Sequence, residues 1–174
     1  MNYIRTLAEI AFFKGKPHDI AYNSTYLILS FTTVLLIGIA AGSAVGKISN
    51  PIYYILVQFG ILGIFFYLLL LANNKASRFI QSASALYGII ALSQVCAYFF
   101  VFILKISNFA IFFYLWAAVV QIYIFRETLE CKTLKAVALF AGIQFSTNLI
   151  LLALFPELVE LLQNSVNQST QTNS

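Results

Sequence analysis

Residues 51–72 read PIYYILVQFGILGIFFYLLLLA. This stretch contains one side-chain amide, Gln58, and no Asp, Glu, Lys, Arg or His. A helix that crosses the hydrocarbon core of a bilayer needs roughly 17–25 mainly apolar residues. A spanning strand would be about 9–11 residues long and would alternate polar with apolar, which this run does not do. In lipid the backbone must satisfy its own hydrogen bonds, so an all-apolar run of this length is read as a transmembrane helix.

Four similar runs lie on either side of it, at about 25–46, 79–104, 108–125 and 136–155, and none carries an ionisable side chain. The chain is 61% hydrophobic and 9% charged, against about 45–50% and 25% in soluble domains. A soluble fold of 174 residues has no core able to hide this much apolar surface. The predicted fold is therefore all-α, a polytopic bundle of five transmembrane helices. The first run contains Ala41-Gly42-Ser43-Ala44, which resembles a signal-peptidase site. Signal cores are about 7–15 residues and sit close to the N-terminus, so this run, longer and more distant, is read as a span.

Orientation follows from the loops. With five spans, one side carries Arg5, Lys14, Lys16, Lys75, Arg78, Arg126, Lys132 and Lys135, and the other carries Lys47 and Lys105. Short loops rich in Lys and Arg stay in the cytoplasm. The expectation is a cytoplasmic N-terminus and a C-terminus on the far side. The net charge of +4 does not point to nucleic acid, because the basic residues form no patch or stripe.

Residues 1–20 form an N-terminal segment, 21–156 the membrane domain and 157–174 a polar tail whose composition predicts disorder. Within the first segment, Tyr3 to Phe13 read as a short amphipathic helix of the kind that lies in the membrane interface, with Arg5, Thr6 and Glu9 on its polar side. Gly15 and Pro17 end it, and Asp19, Asn23 and Ser24 are candidate N-caps for the first span. Tyr53, Tyr54, Tyr98, Phe99 and Phe100 gather toward one set of span ends, and Tyr26, Tyr67, Tyr123 and Phe125 toward the other, as interfacial aromatic belts do.

No constellation for catalysis, cofactor or metal stands out. His18 is the lone histidine, and Cys96 and Cys131 are read as free thiols at different depths. Three other sets of residues carry what signal there is. Gly38, Gly42 and Gly46 recur every four residues along one face of the first span, a helix-packing pattern that fits either the second or fifth span or another chain. Gln58, Gln94, Gln121, Gln144 and Asn148 are intramembrane amides, and Gln144 and Asn148 at i and i+4 share a face. They either bond between helices or line a cavity. Arg78, Arg126 and Glu130 are candidates for a cytoplasmic docking surface, with Arg126 and Glu130 at i and i+4.

Three stretches together resemble a known group. These are Lys16-Pro17-His18-Asp19-Ile20, the run Arg78-Phe79-Ile80-Gln81-Ser82-Ala83-Ser84-Ala85-Leu86-Tyr87-Gly88, and Trp116 followed by Arg126-Glu127-Thr128-Leu129-Glu130. The chain is similar to small five-helix inner-membrane proteins of proteobacteria, whose layout looks like that of bacterial relatives of the Yip family. Ser82 stands where that pattern has Thr, and Ala21 where it has Pro. The resemblance implies five spans and residence in a bacterial inner membrane, with the C-terminus periplasmic. The vesicle-traffic role of eukaryotic Yip proteins is not implied, since bacteria lack that traffic.

Two functions follow as expectations. The first is a non-catalytic structural, assembly or interaction component whose partners are the lipid bilayer and other membrane proteins or copies of itself. The second is a small permease or lipid-binding protein. Ion coupling is not expected, because proton relays and ion-driven carriers use ionisable side chains within the spans.

Overall fold

In a computed structural model the protein is described over residues 3–45, 50–105 and 108–156. Gly46 and the tail from 157 lie outside the described residues. Among the described residues six α-helices follow one another: α1 Tyr3–Ala11, α2 Ser24–Val45, α3 Pro51–Ala72, α4 Phe79–Tyr98, α5 Asn108–Leu129 and α6 Thr133–Leu154. Five of them are long and apolar enough to cross a membrane, and the described residues contain no strand. Helices α2, α3, α5 and α6 are each 22 residues long. At 1.5 Å per residue that is about 33 Å, the thickness of a bilayer core.

The ends of the helices show what sets them. Asn23, of the three candidate caps, starts α2 by accepting a hydrogen bond from the Thr25 amide at 2.9 Å. Asn50 does the same for α3 through the Tyr53 amide at 3.1 Å, with Pro51 in the first helical position. The predicted fourth span, 108–125, is too short: α5 continues to Leu129 and takes Arg126 and Glu127 into its last turn. Apolarity ends where the lipid ends, but helical hydrogen bonding does not. The predicted third span, 79–104, is α-helical to Tyr98 and then π-helical over Phe99–Ile103.

Helix α4 is the centre of the bundle. Over half of its membrane window is buried, 56% against 11–28% for the other four spans. Its small residues Ser82, Ala83, Ser84, Ala85, Gly88 and Ala91 let neighbouring backbones approach closely. It packs mainly on α2 and α5, while α3 packs mainly on α6 and α2. Gly88 faces the Tyr3 hydroxyl and Leu7 of α1, and a Cβ there would lie 2.7–2.8 Å from them. Gly63 of α3 faces the Tyr87 hydroxyl, which donates to the Phe59 carbonyl at 2.8 Å, and a Cβ on Gly63 would overlap it.

The two described glycines of the stripe, Gly38 and Gly42, pack within the chain. A Cβ on Gly38 would meet Ile55 at 3.1 Å, and one on Gly42 would meet Pro51 at 3.2 Å, both on α3.

Helix α1 is docked onto the bundle. Tyr3 stacks on Tyr26 with centroids 4.6 Å apart and donates to the Ser84 carbonyl at 3.0 Å. Tyr123 donates to the Gly15 carbonyl at 2.9 Å, and Gln81 donates to the carbonyls of His18 and Ile20. The polar side of α1 is narrower than its sequence pattern predicts. Thr6 is buried with Ile10 and Ala11 against α4 and α5, while Arg5, Ile4 and Phe12 face outward.

Candidate functional site: a polar cavity among four helices

Four of the spans contribute a glutamine each to one cavity of about 210 Å³. Gln58 comes from α3, Gln94 from α4, Gln121 from α5 and Gln144 from α6, joined by Ser93, Tyr114 and Thr147. Helical spacing selects them. Tyr114, Ala117 and Gln121 lie at i, i+3 and i+7 on the inner face of α5, and Gln144 and Thr147 at i and i+3 on α6. Ser93 and Thr147 are buried and Gln121 is 8% exposed, while Gln58, Gln94 and Gln144 are half-buried and Tyr114 is exposed.

The amides do not bond to one another across the bundle. The Oε1 atoms of Gln94 and Gln121 and the Oγ1 of Thr147 are buried with no hydrogen-bond partner. Leaving such a group unpaired costs about 1–3 kcal/mol. Ser93 differs, since its hydroxyl donates to the Ile90 carbonyl at 2.8 Å. No ionisable group other than the tyrosine phenol lines the cavity.

The residues around the cavity are asymmetric. In α5 Phe125 follows Gln121, in α3 Phe66 follows Leu62, and in α6 Phe140 precedes Gln144, each on the side of the end that carries Lys75, Arg126 and Lys135. Phe66 and Phe125 are fully buried with ring centroids 5.0 Å apart, and Phe140 lies 5.9 Å from Phe125. This aromatic layer closes the bundle toward the basic end. Toward the other end, Gln94 and Tyr114 also line a second cavity of about 230 Å³, beside Tyr98 and Val101. Val101 belongs to the π-helical stretch, a distortion that is frequent at functional sites.

Asn148 corrects the expectation from sequence. It is exposed on α6 and does not line the cavity. The inward stripe of α6 runs through Ala136, Phe140, Ile143, Thr147 and Leu151. Gln144 stands at its edge, and Asn148, next to Thr147, has turned out of it. Thr147, Ser93 and Tyr114 were not predicted. The available signal for Thr147 and Tyr114 was helical spacing, three and seven residues from a glutamine on the same face; Ser93, adjacent to Gln94, carried no such signal.

At the basic end the three docking candidates separate into two clusters. Helix α5 stops at Leu129, and Glu130 takes a left-handed φ of 52°. That turn swings its carboxylate away from Arg126 and onto Lys75 and Arg78, both at 2.5 Å. These two cations hold the Glu130 carboxyl at about 2, well below its ordinary value, with Lys75 contributing most. Arg78 also donates to the Thr128 carbonyl at 3.3 Å. Arg126 pairs with Glu127 at 2.7 Å and lies over the Tyr123 ring at 5.0 Å. Arg126 and Glu130, i and i+4 in the sequence, therefore belong to two separate ion pairs. Cys96 and Cys131 are both free.

Comparison with known protein families, with curated proteins and with solved structures finds no match for this chain.

Proposed function

We propose that this is a non-catalytic, multi-pass membrane protein that binds a small uncharged solute inside its bundle, as a permease without ion coupling does. One observation carries this: four spans bring amides and hydroxyls around a common cavity whose lining includes three side chains with an unpartnered buried polar atom and no carboxylate or cation. Structural amides in helical bundles find each other, and these do not. The basic residues support a cytoplasmic N-terminus and a C-terminus on the far side, and the resemblance to proteobacterial inner-membrane proteins is what supports a bacterial inner membrane as the setting. In that frame the cavity belongs to the periplasmic half, and the aromatic layer separates it from the cytoplasm. Helix α1, with Arg5, Ile4 and Phe12 outward, sits at the cytoplasmic interface. The likeness to Yip-type five-helix proteins rests on the short stretches quoted above and adds the arrangement of spans alone.

The test is flux. Full-length protein in liposomes should accelerate the entry of small neutral solutes, read by stopped-flow light scattering across urea, acetamide, glycerol and erythritol. Potassium should stay excluded. No acceleration for any neutral solute would sink the proposal. A reporter active only in the cytoplasm should be active when fused after Lys75 or Lys132 and silent after Lys47.

The alternative, a structural or assembly component, drew its best support from the glycine stripe. With Gly38 and Gly42 covered by Ile55 and Pro51, that support weakens. Gly42→Ile separates the two roles. Internal packing requires a fall in the abundance of folded monomer, whereas an intersubunit surface would leave the monomer intact and abolish crosslinked oligomers.

A further inference from the structure

We infer that the cavity selects a small neutral solute bearing a primary amide or urea group, an inference that rests on the solute-binding function proposed above. Gln94 and Gln121 reach the cavity from adjacent helices, each with a buried carbonyl oxygen that has no partner. Thr147 adds a hydroxyl in the same condition from α6. Gln121 and Thr147 are 8% and 2% exposed, so bulk solvent does not satisfy them. A glutamine amide presents a donor and an acceptor side by side. Another primary amide presents the complementary pair and meets it with two parallel hydrogen bonds, whichever way the glutamine amide is turned.

Other classes fit less well. A polyol lacks the planar donor–acceptor pair and meets each glutamine through single bonds. An ion would lose its hydration with no opposite charge in the lining to offset the loss. An apolar solute would leave all three oxygens unpaired. Size sets a ceiling: at roughly 30 Å³ per water-sized group, the volume of about 210 Å³ holds about seven such groups.

The experiment reads occupancy directly, in full-length protein with Cys96→Ser and Cys131→Ser. Thr147→Cys places a thiol in the cavity, and its modification rate by neutral methyl methanethiosulfonate is followed. Ser93→Cys, on α4, is the second reporter should Thr147→Cys fail to fold. Acetamide should slow the reaction and glycerol at equal concentration should not. Adding Gln121→Leu should raise the acetamide concentration needed about thirtyfold, the loss of two hydrogen bonds worth about 1 kcal/mol each. Asn148→Leu, outside the cavity, should leave protection unchanged. Equal protection by glycerol and acetamide would overturn the amide class while leaving solute binding intact. Protection that survives Gln121→Leu would overturn the role of the amide. Thiols that react at the same rate with every solute, or not at all, would overturn both the inference and the function beneath it.

Discussion

Gln81 and Gln121 are the same residue in two halves of one bundle, and their surroundings differ. Gln81, near the basic end, donates to two backbone carbonyls, at 3.1 Å to His18 and 2.7 Å to Ile20. Its neighbours are equally well served: Thr128 donates to Ser82 at 3.1 Å, and Ser84 to the Ile80 carbonyl at 2.6 Å. Gln121, in the other half, has a carbonyl oxygen with no partner, and so have Gln94 and Thr147. In the first region polar groups hold helices together. In the second, helices hold polar groups apart. The first is the chemistry of a scaffold, and the second is the arrangement on which the proposed solute binding rests.

The comparison breaks most visibly at Gly88. A leucine there would push Tyr3 and Leu7 off α4 and undo the docking of α1. Overpacking of a tight contact costs about 1–3 kcal/mol and occasionally more, and the part-buried Tyr3–Ser84 hydrogen bond would go with it. Gly88→Leu should give the largest loss of thermal stability in detergent, together with protease sensitivity before residue 20. A stable, protease-resistant Gly88→Leu protein would show that the basic half is not a packed scaffold.

The two glutamines sharpen the comparison through opposite signs. Gln81→Leu removes two hydrogen bonds, an exposed one to the His18 carbonyl and a part-buried one to the Ile20 carbonyl, and should destabilise by about 1 kcal/mol. Gln121→Leu removes an unpaired oxygen from the interior and should be neutral or stabilising by about 1 kcal/mol. Gln94→Leu should follow Gln121→Leu. Equilibrium unfolding in mixed micelles reads both signs, and equal destabilisation by all three would erase the distinction between the halves.

The smallest effect concerns Glu130, at the edge of the scaffold half. Its carboxyl titrates at about 2 in the folded protein against an ordinary 4.5, held there by Lys75 and then Arg78. A group whose folded value is depressed stabilises fully above its unfolded value and loses that contribution as pH falls through the folded one. Stability should therefore decline from about pH 4.5 toward pH 2 through this group. The decline should be weaker in Glu130→Gln and in high salt, since the carboxylate is exposed and screened. An identical acid profile in Glu130→Gln would remove the pair from the account.

How much of this was legible beforehand depends on the kind of quantity involved. Residues 51–72 were bounded correctly because hydropathy is a sum along the chain and Pro51 and Asn50 mark the start locally. The extension of α5 past Phe125 was not legible, because charge limits burial in lipid and does not limit helix. The glutamines were visible as polar residues in apolar runs. That Gln58, Gln94, Gln121 and Gln144 converge was not, nor that Asn148 turns away from them.

By itself, then, the sequence determined five apolar helices, the side on which its cations collect and the absence of charge within the spans. Each follows from transfer of single residues between water and lipid, which needs no knowledge of neighbours. Tertiary structure alone decided that α4 is the centre, that Gly38 and Gly42 serve α3, and that Glu130 joins Arg78 instead of Arg126. It also decided that four amides share one cavity without pairing. These depend on which faces of the helices meet, and a helix apolar all round carries no record of its own orientation.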